Sequence, residues 1–128
     1  MQRDLALLVL RVAAAGMMLP HGFAKVQKIV AGNMRFPDPL GIGDAPSLIL
    51  AAFAEFVCAI AVLVGFKTRW SSIPLAVTML VAAFVHHGGD AWDKKELPLL
   101  YAAAFIALAL LDGGRYAVDA FLKKRRKG

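Results

Sequence analysis

At 128 residues the chain has the length of one domain, and its 59% hydrophobic content exceeds the roughly 45–50% of soluble domains. Charge is not scarce, at 19% of residues and a net +6, but it is segregated from the apolar runs. The single cysteine, Cys58, excludes an intrachain disulfide framework and has no CxxC partner, which leaves it as a small buried packing residue.

The first apolar run occupies residues 5–24. Arg3 followed by "LALLVL" has the outline of a signal peptide, but Arg11 interrupts the apolar stretch and no small-x-small cleavage site follows. A retained first helix over about 4–30 is therefore expected, kinked at Pro20. The proline and glycine content of "AGNMRFPDPLGIGDAP" (31–46) forbids regular helix there. A second helix is expected over about 47–66, and its run 48–66, "LILAAFAEFVCAIAVLVGF", holds one carboxylate, Glu55, and no lysine or arginine. A helix of a soluble bundle would carry a polar stripe, and this one carries none. "KTRW" (67–70) reads as a tight turn with Trp70 at an interface, and a third helix follows over 70–87. "HGGDAWDKKE" (87–96) is a second loop with an interfacial Trp92, and a fourth helix spans 96–113, closing on "DGG". The basic amphipathic tail, 114–128, is expected to lie along the membrane surface.

A spanning helix needs about 17–25 mostly apolar residues. The second run meets that alone, and the others meet it with a few flanking polar residues. The expectation is an all-α integral membrane protein: a four-helix bundle in a single domain, 1–128. Nine of the fifteen Lys and Arg residues (Arg3, Lys67, Arg69, Arg115 and "KKRRK" at 123–127) fall on one face of a four-span topology. The positive-inside rule puts that face, and both termini, in the cytoplasm. Beside a final membrane helix, a basic run anchors to anionic headgroups, and no aromatic-interleaved groove points to nucleic acid.

Ionisable residues at bilayer depth cost about 2.5–3.5 kcal/mol each on insertion scales, so they face the bundle interior and pair. At 100° per residue, Arg11, His21 and Lys25 share an arc of about 80° on the first helix. At 1.5 Å per residue, His21 stands about 24 Å from residue 5 and Arg11 about 9 Å. Glu55 lies at a depth between them, about 13 Å from the start of its own helix, so either could neutralise it. His86 or His87, neighbours about 100° apart, and Glu96 reach the level of His21. A polar pocket near the outer face is expected from Arg11, His21, Lys25, Glu55, His86 and Glu96, with His21, Glu55 and Glu96 as the candidate catalytic groups. Gly22 allows close approach of a neighbour, and Pro20 frees a carbonyl.

Histidine and glutamate can ligate metals, but no HxxxH or ExxH spacing sets two ligands on one helix, so no metal residues are assigned. Haem fits no better, with no CxxCH and three histidines in all. A quinone fits better: its carbonyls need a donor and a titratable group in an apolar slot open to lipid.

The blocks "LLVLRVAAAGMMLPHGFAKV" (7–26), "AEFVCAIAVLVGFKTRWSS" (54–72) and "KKELPLLYAAAFIALALLDGGRYAVD" (94–119), in that order and with four-span spacing, resemble the DoxX family of small bacterial inner-membrane proteins. Within them Arg11, His21, Gly22, Lys25, Glu55, Gly65, Thr68, Arg69, Glu96, Gly113 and Asp119 match positions the family pattern emphasises. The 31–46 loop matches nothing distinctive. The resemblance implies either quinone-linked oxidation, as in thiosulfate:quinone oxidoreductase subunits, or an accessory or assembly role in a larger membrane complex. The chain has no flavin, nicotinamide or iron–sulfur fingerprint, so electrons would have to travel through a lipid-soluble carrier or a partner. Two readings follow. One is a quinone- or quinol-binding subunit beside oxidoreductase partners; the other is a non-catalytic assembly protein with a structural polar core. Four spans would need a homodimer to enclose a transport path, and no internal repeat supports one.

Overall fold

The computed structural model of the protein describes residues 2–36, 41–86 and 89–127, the side chains of His86, Arg126 and Lys127 excepted. Within these residues the secondary structure is entirely helical. Helix α1 is Gln2–Val30, and α2 is Asp44–Val64, with a π-helical stretch at Phe53–Cys58 in its middle. Helix α3 is Thr68–Val81 and runs on through a second π-helical stretch, Ala82–His86; α4 is Trp92–Leu111 and α5 is Val118–Lys127.

The chain's punctuation explains where the helices stop. Gly32 (φ 77°) ends α1: its N–H bonds to Ile29 O at 3.0 Å and that of Asn33 to Lys28 O at 2.9 Å. Gly65 (φ 82°) closes α2 in the same way, with Phe66 N–H on Ala61 O at 2.7 Å. Both are left-handed closures that glycine adopts without strain. Pro20, Pro74 and Pro98 all lie inside helices that continue past them. Neighbouring helices and local adjustments make that tolerable in a membrane bundle.

Three helices, Gln2–Val30, Asp44–Val64 and Thr68–Val85, are long and apolar enough to cross a bilayer. Helix α4 is comparable in length at 20 residues, but its first two turns carry Asp93, Lys94, Lys95 and Glu96, so its apolar stretch starts only at Leu97. It packs along α3 and against α1, completing the bundle. The core is dominated by small side chains and a few large ones: Ala14, Ala15 and Met18 meet Ala54, Ala59, Leu75, Ala102 and Phe105. Small residues let helix backbones approach closely where lipid gives no hydrophobic drive to associate. The outer faces carry the large apolar side chains instead, with Val9, Leu100 and Leu110 each about two-thirds exposed or more. That inside-out distribution suits a lipid solvent.

Both termini gather at one end of the bundle. The Arg115 N–H donates to Asp4 Oδ1 at 3.0 Å, and Asp119 N–H to Gly65 O at 3.1 Å. The start of α1, the α2–α3 turn and the start of α5 are thereby tied together.

Candidate functional site

At the opposite end from the termini, α1–α4 enclose a cavity of ≈ 660 Å³. Its walls are mainly apolar: Met18 from α1, Leu50, Ala51 and Phe53 from α2, Val77, Met79 and Val81 from α3, Leu97 and Pro98 from α4. Leu50, Phe53 and Val77 are each half exposed on the lipid-facing side, so this rim opens laterally. A few polar groups converge on one wall, the usual composition of a small-molecule site.

That wall is built by α1 and α2. Gly22 lets them touch: a Cβ there would come within 2.2 Å of Glu55 O. The π-helical stretch Phe53–Cys58 then carries Glu55 into the interior, where it is 4% exposed. Such widened turns recur at functional sites because the extra residue re-aims side chains. Lys25, one turn beyond His21 on α1, meets the carboxylate with Nζ–Oε1 of 2.8 Å. His21 lines the cavity from an exposed position, and its ring meets Tyr101 of α4 edge-on, centroids 6.3 Å apart. Tyr101 is buried and stacks in turn on Phe105 at 6.2 Å. Phe36, from the segment after α1, lies 5.9 Å from the Lys25 ammonium.

Of the expected pocket residues, the structure brings His21, Lys25 and Glu55 together. Arg11 is elsewhere, buried at the end near the termini. Its Nη1 donates to Leu63 O at 3.0 Å and Val62 O at 3.3 Å, and its Nη2 to Tyr116 O. The expected neutralisation of Glu55 by Arg11 or His21 is therefore corrected: Lys25 makes the ion pair, and Arg11 caps the carbonyl end of α2. Arg69 makes a similar contact to the end of α4, Nε to Ala109 O at 2.9 Å. Cations at the carbonyl ends of helices are stabilising. Glu96 also departs from expectation: it is exposed, accepts a hydrogen bond from Trp92 Nε1 at 3.1 Å and does not line the cavity. Helix α4 begins a turn before Glu96, at Trp92, and the later residues Leu97, Pro98 and Tyr101 form the wall. The side chain of His86 and all of His87 lie outside the described residues, as does Pro39 in the loop before α2. Among the described residues, no three His, Cys, Asp or Glu side chains assemble as a metal site would need.

Tyr101, Thr78 and Phe36 were not singled out by the sequence. Tyr101 had a detectable signal, as a hydroxyl in the middle of the apolar run that becomes α4. Thr78 spends its hydroxyl on Pro74 O at 2.7 Å, the carbonyl four residues back in its own helix.

The fold and this lateral cavity define a small polytopic membrane protein with a polar-ended apolar site. The sequence profile of DoxX matches residues 6–88, more than half of the chain, and the protein belongs to the DoxX family. It is 28% identical over 126 residues, 95% of both chains, to Inner membrane protein YqjF of Escherichia coli (strain K12). The protein is an inner-membrane protein, as that relative is by name, and several of its own helices are long and apolar enough to span the bilayer. No solved structure matches it.

Proposed function

We propose that the protein is a quinone- or quinol-binding component of a membrane redox system, with the cavity between α1 and α4 as its binding site. A single observation carries this reading. An apolar chamber of ≈ 660 Å³ opens toward lipid and ends on an ammonium, a carboxylate and an imidazole. That volume lies within the range of about 300–1,000 Å³ usual for small-molecule sites. The donor set fits a quinone head. Lys25 Nζ and His21 can donate to a ring carbonyl, and Glu55 can accept a proton from a ring hydroxyl at the same wall. The apolar walls exclude water and hold the ring. When bound, the quinone supplies the two-electron chemistry, and Lys25 orients the carboxylate beside it through the 2.8 Å contact. The chain holds no redox motif of its own, so a partner oxidoreductase subunit exchanges the electrons.

In this reading the positive-inside bias places both termini in the cytoplasm and the cavity in the outer half of the bilayer. The test is mass spectrometry of the lipid-soluble molecules that co-purify in mild detergent. A quinone in near-equal amount to the protein, lost in His21→Ala and Glu55→Gln, is expected. No quinone, or an amount unchanged in both variants, would refute the reading and turn attention to any co-purifying polypeptide.

A further inference from the structure

A second recess, of ≈ 380 Å³, lies on the outer side of α1, lined by Pro20, His21, Ala24, Lys25, Lys28 and Phe36. None of these described lining residues is acidic. Two ammoniums approach one ring here: Lys25 Nζ is 5.9 Å and Lys28 Nζ 5.7 Å from the Phe36 centroid. Lys25 is neutralised by Glu55 behind it, whereas Lys28 donates to a neutral group, Arg35 O, at 2.5 Å. An ammonium has three N–H donors, so the Lys28 contact leaves donors over. Among the described residues no carboxylate pairs with Lys28, so it brings a positive charge and spare donors to a concave site.

Its depth indicates what it meets. Helix α1 has 29 residues and is about 43 Å long, close to the full bilayer thickness of about 40–45 Å with headgroups. Lys28 stands about 3 Å below the helix end at Val30, at the level of lipid phosphates. Toward the bilayer centre the same face of α1 continues through Met17 and Ala13, both exposed, as an apolar track for acyl chains.

We propose that this recess is a seat for a phosphate-type oxyanion, supplied by the headgroup of an anionic phospholipid in the leaflet around it. Lys28 and Lys25 hold the oxyanion, and His21 adds a donor. The recess shares His21, Lys25 and Phe36 with the larger cavity, and Lys28 is the charged residue that belongs to the recess alone, so the test is made there.

The experiment reconstitutes the full chain in phosphatidylcholine with a minor fraction of phosphatidylglycerol. It then measures, by native mass spectrometry, the enrichment of phosphatidylglycerol retained on the protein. In Lys28→Gln the enrichment should fall about fivefold, the effect of one basic residue at a membrane surface. Lys28→Arg should restore it. Lys94→Gln, an exposed charge change at the first turn of α4, should leave it unchanged. An excess of inorganic phosphate distinguishes the source: displacement of the lipid marks a seat that accepts the free oxyanion, and resistance marks one that needs the lipid. Equal enrichment in wild type and Lys28→Gln, or an equal loss in Lys94→Gln, overturns the proposal.

Discussion

Replacing Lys25 by methionine leaves the Glu55 carboxylate in the interior without the ammonium that faces it. Glu55 is 4% exposed and held at 2.8 Å, while the Lys25 side chain is 20% exposed. Removing one partner of a buried pair costs about 3–5 kcal/mol, because the remaining charge is stranded. The partial exposure of Lys25 argues for the lower end of that range, about 3 kcal/mol. Replacing both partners, Lys25→Met with Glu55→Gln, removes the stranded charge and should recover most of the loss, giving a coupling of about 2 kcal/mol. Unfolding titrations in mixed micelles of mild and denaturing detergent measure all four proteins of the cycle. Lys94→Met, at an exposed position, is the control. If Lys25→Met unfolds no more readily than Lys94→Met, or the coupling is below about 0.5 kcal/mol, the pair is not the buried contact described here.

Other residues give equally sharp expectations. Gly22→Ala would set a Cβ 2.2 Å from Glu55 O, so α1 and α2 must separate; a loss of about 3 kcal/mol in the same titration is expected, against none for Gly16→Ala, which meets nothing within 4 Å. Arg11→Met strips the carbonyls of Leu63 and Tyr116 of the guanidinium donor, while Val62 O keeps the Gly65 N–H, and should destabilise by about 2–3 kcal/mol. Glu96→Gln alters an exposed side chain bonded to Trp92 and should change stability by less than about 0.5 kcal/mol, with quinone retention measured by mass spectrometry unaltered.

The helices were legible in the sequence because their apolar runs end at glycines and prolines that stop helices for steric reasons. Helix α2 still starts three residues before the expected 47, at Asp44, because Pro46 sits in its first turn, where no backbone donor is needed. The π-helical stretches were not legible: no residue preference marks them, and they follow from how α2 and α3 pack. The identity of the Glu55 partner was only half legible. Depth arithmetic put Glu55 between Arg11 and His21 but counted side-chain partners alone. It overlooked that the last carbonyls of α2 could satisfy Arg11, and that a lysine can reach inward along an apolar wall. Glu96 was misplaced by taking α4 to begin there, when the helix starts one turn earlier, at Trp92. Tyr101 was hard to read because a lone hydroxyl on an aromatic ring costs little in an apolar run and leaves no charge pattern, so only its packing on His21 and Phe105 marks it.

The most direct test of the cavity as a quinone site is photolabelling of the membrane-embedded protein with an azido-quinone, followed by peptide mapping. The account predicts label on the peptides containing Met18–Lys25, Leu50–Glu55 and Leu97–Tyr101, suppressed by excess unlabelled quinone and by Glu55→Gln. Label spread over the lipid-facing residues Val9, Leu100 and Leu110, and unaffected by competition, would contradict it.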